Sequence, residues 1–194
     1  MEIPYSVRVR PDTGFTNGQL ATWLFLASEA MLFGGVFSSY VILRAGAEHW
    51  PTGTLNIWTA SVNTVVLMAS SVTMSRASMS LKQGRWAVYR RFFVATAILA
   101  VVFLGIKSFE YAEHLSRGEY PSVNNALAVY YTLTGLHALH IVGGLIVMLY
   151  LLGPGARLHG TNPGLFTNRV ANTGLYWQFV DIVWLCVFVM LYLL

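Results

Sequence analysis

The chain has 194 residues, of which 56% are hydrophobic and only 10% charged, and its formal net charge is +4. A soluble domain carries roughly 25% charged residues, so this chain cannot clothe a water-facing surface, and its solvent is expected to be largely lipid. The small positive balance, without a basic surface, excludes nucleic-acid binding, and the single cysteine, Cys186, excludes an intrachain disulfide.

The first 18 residues are polar and irregular, with Arg8, Arg10, Pro11, Gly14 and Gly18. No cleaved signal peptide is expected, because the apolar run that follows is too long for a signal core and lacks a small-residue cleavage site. Crossing a hydrocarbon layer of about 30 Å takes about 20 apolar residues. The first such run extends from Leu20 to Leu43 and stops at Arg44; the second covers Leu55 to Met79, and the third Phe92 to Leu115. The fourth covers Leu127 to Leu152 and ends at Gly153-Pro154-Gly155, a helix stop, and the fifth runs from Thr173 to Leu194. Backbone groups in hydrocarbon must bond within their own segment, and runs this long are not barrel strands. The expected fold is therefore all-α, one membrane domain over residues 1–194 with five transmembrane helices. Trp50, Trp58, Trp86, Tyr89, Tyr120, Tyr176 and Tyr192 fall where an interfacial belt would place aromatics.

Charge asymmetry gives an expected orientation. Arg8, Arg10, Arg76, Lys82, Arg85, Arg90, Arg91, Arg157 and Arg169 fall on one side of the five runs, against Arg44 and Arg117 on the other. The positive-inside rule then puts the N-terminus in the cytoplasm and the C-terminus outside. Arg85, Arg90 and Arg91 mark that cytoplasmic interface and are candidates for anionic lipid headgroups, as Trp58 and Trp177 are for the lipid boundary.

Charges inside a span are costly, at least about 2.5–3.5 kcal/mol each at the helix centre, so each needs a reason. Run one carries Glu29, run three carries Lys107, Glu110, Glu113 and His114, run four carries His137 and His140, and run five carries Asp181. Asn63 of run two is placed at a similar depth, so four helices have groups able to meet in one layer. Lys107, Glu110 and His114 share one helical stripe, on which Lys107 and Glu110 are spaced to pair. His137 and His140 share a face that Gly144 continues, which would let a neighbouring helix approach. Three readings stand side by side: a self-satisfying network that fixes helix register, a metal or haem site of the kind carboxylate–histidine bundles build, and a proton-handling or lipid-headgroup site around Glu29. Against the metal reading, Glu110 and His114 lack the Glu-x-x-His spacing, and His137 and His140 are not at the i, i+4 spacing of a helical zinc pair. A stand-alone di-metal enzyme and a small transporter using Glu29 and Asp181 are the competing functions; the second would call for inverted repeats or broken helices, and the chain shows neither.

These same residues lie in four segments that resemble cytochrome c oxidase subunit III. Trp23-Leu24-Phe25-Leu26-Ala27-Ser28-Glu29-Ala30-Met31-Leu32-Phe33 is similar to the family's helix with a buried glutamate, and Gly105-Ile106-Lys107-Ser108-Phe109-Glu110-Tyr111 to its Glu-Tyr segment. Thr134-Gly135-Leu136-His137-Ala138-Leu139-His140-Ile141-Val142-Gly143-Gly144 resembles its two-histidine helix, and Tyr176-Trp177-Gln178-Phe179-Val180-Asp181-Ile182-Val183-Trp184 its last one. The mitochondrial type has seven helices; this chain resembles the five-helix bacterial form, and it carries Gln178 where a histidine is common.

The resemblance implies a subunit that is not catalytic alone and holds no cofactor or metal of its own, haem and copper being in partner subunits. It implies a place in a bacterial cell membrane against oxidase subunit I, with subunit II and a subunit IV in the complex and phospholipid bound in a cleft. The implied role is to support proton uptake and lasting turnover in a terminal oxidase that reduces oxygen and pumps protons. A quinol oxidase or a nitric-oxide-reductase-associated complex is the alternative setting. On this reading the histidines serve structure.

Overall fold

The computed structural model describes residues 9–51 and 55–194; Arg8, one of the charges used for orientation, lies outside the described residues. Five helices are long and apolar enough to cross a membrane, Asn17–Ala45 (α1), Ile57–Lys82 (α2), Trp86–Ser116 (α3), Asn125–Leu152 (α4) and Pro163–Leu193. The last comprises α6, Pro163–Phe188, and a π-helical turn, Val189–Leu193; a short α5, Arg157–Thr161, precedes it. The described residues contain no strand. The expected all-α membrane bundle of five spans is what the chain forms.

Each helix runs past its apolar stretch at one end or both, though α2 starts at Ile57 and not Leu55, because caps and basic side chains extend helices into the interface. At the start of α1, Thr16 and Gln19 form a reciprocal capping box. Asn56, Asn124 and Asn162 each accept a backbone N–H at the starts of α2, α4 and α6. The largest shift is in the fifth span, expected from Thr173 and found from Pro163. Proline at the first helical position costs nothing there, and the polar turns carrying Asn168, Arg169 and Asn172 stay helical through side-chain bonds to Thr16 and to each other. Gly153-Pro154-Gly155 does end α4, but the chain turns through a 3-10 turn into α5, an element the sequence reading did not anticipate. Arg90 and Arg91 lie in the exposed first turns of α3 rather than in a loop.

α6 is the hub, packing on α1, α2 and α4, while α3 closes the core against α2 and α4. Small residues set the approach of α2 to its neighbours: Thr73 and Thr96 hydroxyls meet at 2.8 Å between α2 and α3, and Ser70 accepts the Trp177 indole N–H at 3.0 Å from α6. Trp184 Nε1 donates to Thr64 Oγ1 at 3.0 Å one level further along. α1 is different. Its buried residues are Leu26, Phe33 and Tyr40, one every seven residues, so it touches the bundle along a single narrow seam. Its other faces stay uncovered, with Leu24, Met31 and Ile42 each more than half exposed.

The aromatics expected in an interfacial belt divide. Trp58 and Tyr120 are 80% and 50% exposed, as a belt needs, whereas Tyr89 is 1% exposed and packs on Trp86, Phe93 and Phe166 inside the bundle. Trp177, expected at the lipid boundary, is fully buried. Its neighbour across the α4–α6 crossing is Gly144, where an added Cβ would stand 2.8 Å from Trp177 Cζ3 and 3.1 Å from Tyr176 Cε1. A locked indole cannot yield, so Gly144→Ala should destabilise the bundle by about 1–3 kcal/mol, the range for overpacking. Gly34→Ala on α1, where a Cβ would meet nothing within 4 Å, should leave stability unchanged; thermal unfolding of the two variants in one detergent is the check.

Candidate functional site

Two polar clusters stand out, and each joins helices that the sequence separates. The first links α1 to α4. Glu29 Oε2 lies 2.8 Å from His140 Nε2, and His140 Nδ1 lies 2.8 Å from the Leu136 carbonyl. A carbonyl only accepts, so Nδ1 carries a hydrogen. One proton then sits between Nε2 and Oε2, either as an acid donating to imidazole or as an imidazolium donating to carboxylate. Both states leave the pair neutral overall, which is what a half-buried site facing lipid requires. Phe33 of α1 lies against the His140 ring with centroids 5.0 Å apart, and Tyr176 of α6 donates to the His140 carbonyl at 2.9 Å. Beside it, a lateral groove of about 350 Å³ opens between α1, α4 and α6, walled by Thr22, Phe25, Gly143, Val147, Asn172, Thr173 and Tyr176.

The second cluster ties α3 to α4 and to the turn that ends the fifth span. Lys107 Nζ donates to Glu110 Oε1 at 3.0 Å and to the Tyr192 hydroxyl at 2.9 Å, with the Tyr130 hydroxyl at 3.5 Å. Tyr130 and Tyr192 each donate to the same Oε1, at 2.6 and 2.7 Å. The ammonium also sits 5.1–5.9 Å from the ring centres of Tyr111, Tyr130, Trp184 and Tyr192, an aromatic cage on all sides. Lys107 and Glu110 are each 4% exposed. The stripe spacing anticipated this pair. His114, on the same stripe, turns instead to Glu119 in the loop beyond α3, and Tyr131 holds that loop by donating to the Glu119 carbonyl at 3.0 Å.

The single polar layer expected from Glu29, Asn63, His137, His140 and Asp181 does not form. Only Glu29 and His140 meet. Asn63, His137 and Asp181 are buried with no hydrogen-bond partner for any of their side-chain polar atoms. The indole N–H groups of Trp177 and Trp184, on either side of Asp181 along α6, go to Ser70 and Thr64. The His137 ring packs edge-to-face with Phe103 and tilted against Trp184, centroids 5.5 and 5.0 Å away, and Asn63 sits within two turns of the start of α2 rather than at mid-depth. Gln178 is exposed, reaching Ser75 at 3.3 Å. Among the described residues, no three His, Cys, Asp or Glu side chains gather closely enough to hold a metal ion.

Two members of the second cluster escaped the sequence reading. Tyr130 lies seven residues before His137, on the buried stripe of α4, so helical periodicity from His137 reaches it. Tyr192 carried no such signal; its place near the end of the last run read as an interfacial aromatic. Removing one partner from a buried ion pair strands the other charge, so Lys107→Met should destabilise the chain by about 3–5 kcal/mol. The double variant Lys107→Met with Glu110→Leu should recover most of that loss, as denaturation of the purified chain in detergent would measure.

Comparison with known proteins places this arrangement. The sequence profile of cytochrome c oxidase subunit III matches residues 12–194. A probable cytochrome c oxidase subunit 3 from Mycobacterium leprae is 36% identical over 179 residues, which is 89% of this chain and 86% of the relative. Cytochrome c oxidase subunit 3 from Thermostichus vulcanus is 33% identical over 177 residues, 90% of this chain and 86% of the relative. A protein named heme-copper oxidase subunit I+III from Aeropyrum pernix is 32% identical over 183 residues, 89% of this chain but 22% of that longer protein. With a family match from near the start of the described residues to Leu194, and relatives covered over most of their length, the chain belongs to the cytochrome c oxidase subunit III family.

Proposed function

We propose that the chain is the accessory subunit III of a haem–copper terminal oxidase, working beside a catalytic subunit and holding no redox centre itself. The observation that carries this is the family match over residues 12–194.

The catalytic partner is oxidase subunit I. The Aeropyrum pernix relative, whose name joins I and III in one protein, supports that choice, and α1, with most of its surface uncovered, offers the broadest docking face. The N-terminus lies in the cytoplasm, on the strength of the basic residues at the N-terminal tail, the α2–α3 turn and the α4–α6 connection. The membrane is the bacterial cell membrane. A phospholipid chain lies along the groove beside Tyr176, whose lining is mostly apolar side chains and small residues.

The role of Glu29 and His140 in this setting is to support proton uptake and lasting turnover by the partner. A tagged chain should co-purify with a haem-containing polypeptide, and recovery of the chain alone from a respiring membrane would overturn the assignment. Glu29→Gln should leave assembly and haem spectra intact while shortening the number of turnovers before activity decays. Loss of the haem spectra in that variant would point instead to a part in assembly.

A further inference from the structure

At the end of the bundle where α1 and α3 finish and α2 and α4 begin, a cavity of about 430 Å³ opens between α1, α4 and the last turn of the fifth span. Its walls are mixed. Arg44, Glu119 and Asn124 stand among Leu127, Leu191 and Val123, and the phenol rings of Tyr130 and Tyr192 complete the lining. A mixed-walled space this large has room for on the order of ten waters, each needing several polar partners. Tyr130 and Tyr192 connect it to the interior, since both donate to Glu110 Oε1, and Tyr192 also accepts from Lys107.

Glu110 is not used symmetrically. Oε1 receives three donors, whereas Oε2 is buried with no partner. A carboxylate serving only structure would be expected to spend both oxygens. Here two of the three donors on one oxygen, Tyr130 and Tyr192, belong to residues that line the cavity, and the other oxygen keeps its lone pairs free.

We propose that this cavity is a water-filled proton-exchange site, through which the Lys107–Glu110 pair takes up and releases one proton against the adjacent aqueous phase. In the uptake step a cavity hydronium gives its proton to the Tyr192 or Tyr130 hydroxyl oxygen. That hydroxyl passes its own proton to Glu110 Oε1, leaving water in the cavity and a neutral acid beside the Lys107 ammonium. The cluster goes from zero to one positive charge, and the tyrosine is unchanged. Oε2 then offers the ammonium a replacement acceptor. The groups that face this event are Lys107, Tyr111 and His114 on α3, Tyr130 and His137 on α4, Trp184 and Tyr192 on the fifth span, Glu119 on the loop beyond α3, and Tyr40 and Arg44 at the α1 wall. Arg44 is engaged by the Tyr40 hydroxyl and the Leu194 carbonyl, and Glu119 by His114, so neither competes for Glu110.

The test is infrared difference spectroscopy after a pH jump, on the full chain in lipid with whatever partners it retains on purification. Acidification should raise a protonated-carboxyl band that is absent from Glu110→Gln and that shifts in D2O within the mixing time. Tyr130→Phe combined with Tyr192→Phe keeps both rings and removes both relays; it should slow that deuterium shift by about a hundredfold, the lower end of what a positioned proton-transfer group contributes. Val123→Trp, which plugs the cavity from an exposed position, should slow it while leaving the band's size unchanged. A band that survives Glu110→Gln at full size overturns the proposal. So does exchange as fast in the double phenylalanine variant as in the native chain, a readout that stands even if Glu110→Gln does not fold. Because the band belongs to this chain's own carboxyl, the result is independent of whether a haem protein co-purifies.

Discussion

Hydrocarbon offers no hydrogen bonds, and that one constraint shapes every polar contact in this bundle. A side chain that in water would find a partner anywhere must here find it within the protein, on its own helix or another, or leave the cost of its burial standing. The Lys107–Glu110 cluster is the fullest answer: an ammonium with three N–H groups, a carboxylate oxygen and two phenols satisfy one another across three helices. Because Tyr130 of α4 and Tyr192 of the fifth span both donate to Glu110 of α3, the cluster fixes the register of α3, α4 and the last turn of the fifth span together. A hydrophobic seam alone would let those helices slide by a turn.

The same constraint explains why α1 behaves unlike the rest. It brings one charge, Glu29, and one seam, Leu26–Phe33–Tyr40, and both are met by α4 and α6. At its far end Arg44 bonds Tyr40 and the Leu194 carbonyl, while Tyr40 bonds the Met190 carbonyl. α1 is thus pinned at its middle and its end with most of its surface uncovered. In a monomer in lipid such a helix would be weakly held. In a subunit whose family works inside a larger complex, an uncovered helix is a face waiting for a neighbour.

Much of this was legible in sequence, and the boundary of legibility is physical. Long apolar runs have one viable structure in lipid, so five helices followed directly. The i, i+3 spacing of Lys107 and Glu110 is a local relation, fixed by helix geometry before any tertiary packing, and it held. Glu29 with His140 was one of several pairings open to Glu29, because nothing in a helix pattern says how two helices rotate against each other. For the same reason the common polar layer failed: Asn63, His137 and Asp181 belong to the right kind of position but to faces that do not converge. Trp177 shows the complementary error. An aromatic near a polar motif reads as interfacial, whereas Gly144 removes the one Cβ that would have kept its indole out of the core. Capping extends helices past their apolar stretch, and that too is invisible to a hydropathy count, as Pro163 and Asn162 show.

Asn63, His137 and Asp181 are buried without a partner for their side-chain polar atoms. Two of them, His137 and Asp181, flank the tryptophans that lock α6 to α2: Asp181 lies between Trp177 and Trp184 on the same helix, and His137 packs on the Trp184 ring. The Trp184 ring also forms one side of the cage around Lys107. One indole therefore borders the exchange-competent ion pair on one side and an unsatisfied imidazole on the other, while its N–H is committed to Thr64. A buried polar atom without a partner destabilises by about 1–3 kcal/mol. Replacing His137 and Asp181 with apolar residues of similar shape would therefore favour the isolated bundle. That the sequence carries titratable groups at both places, beside a third it does satisfy, fits a bundle whose interior polarity serves more than its own stability.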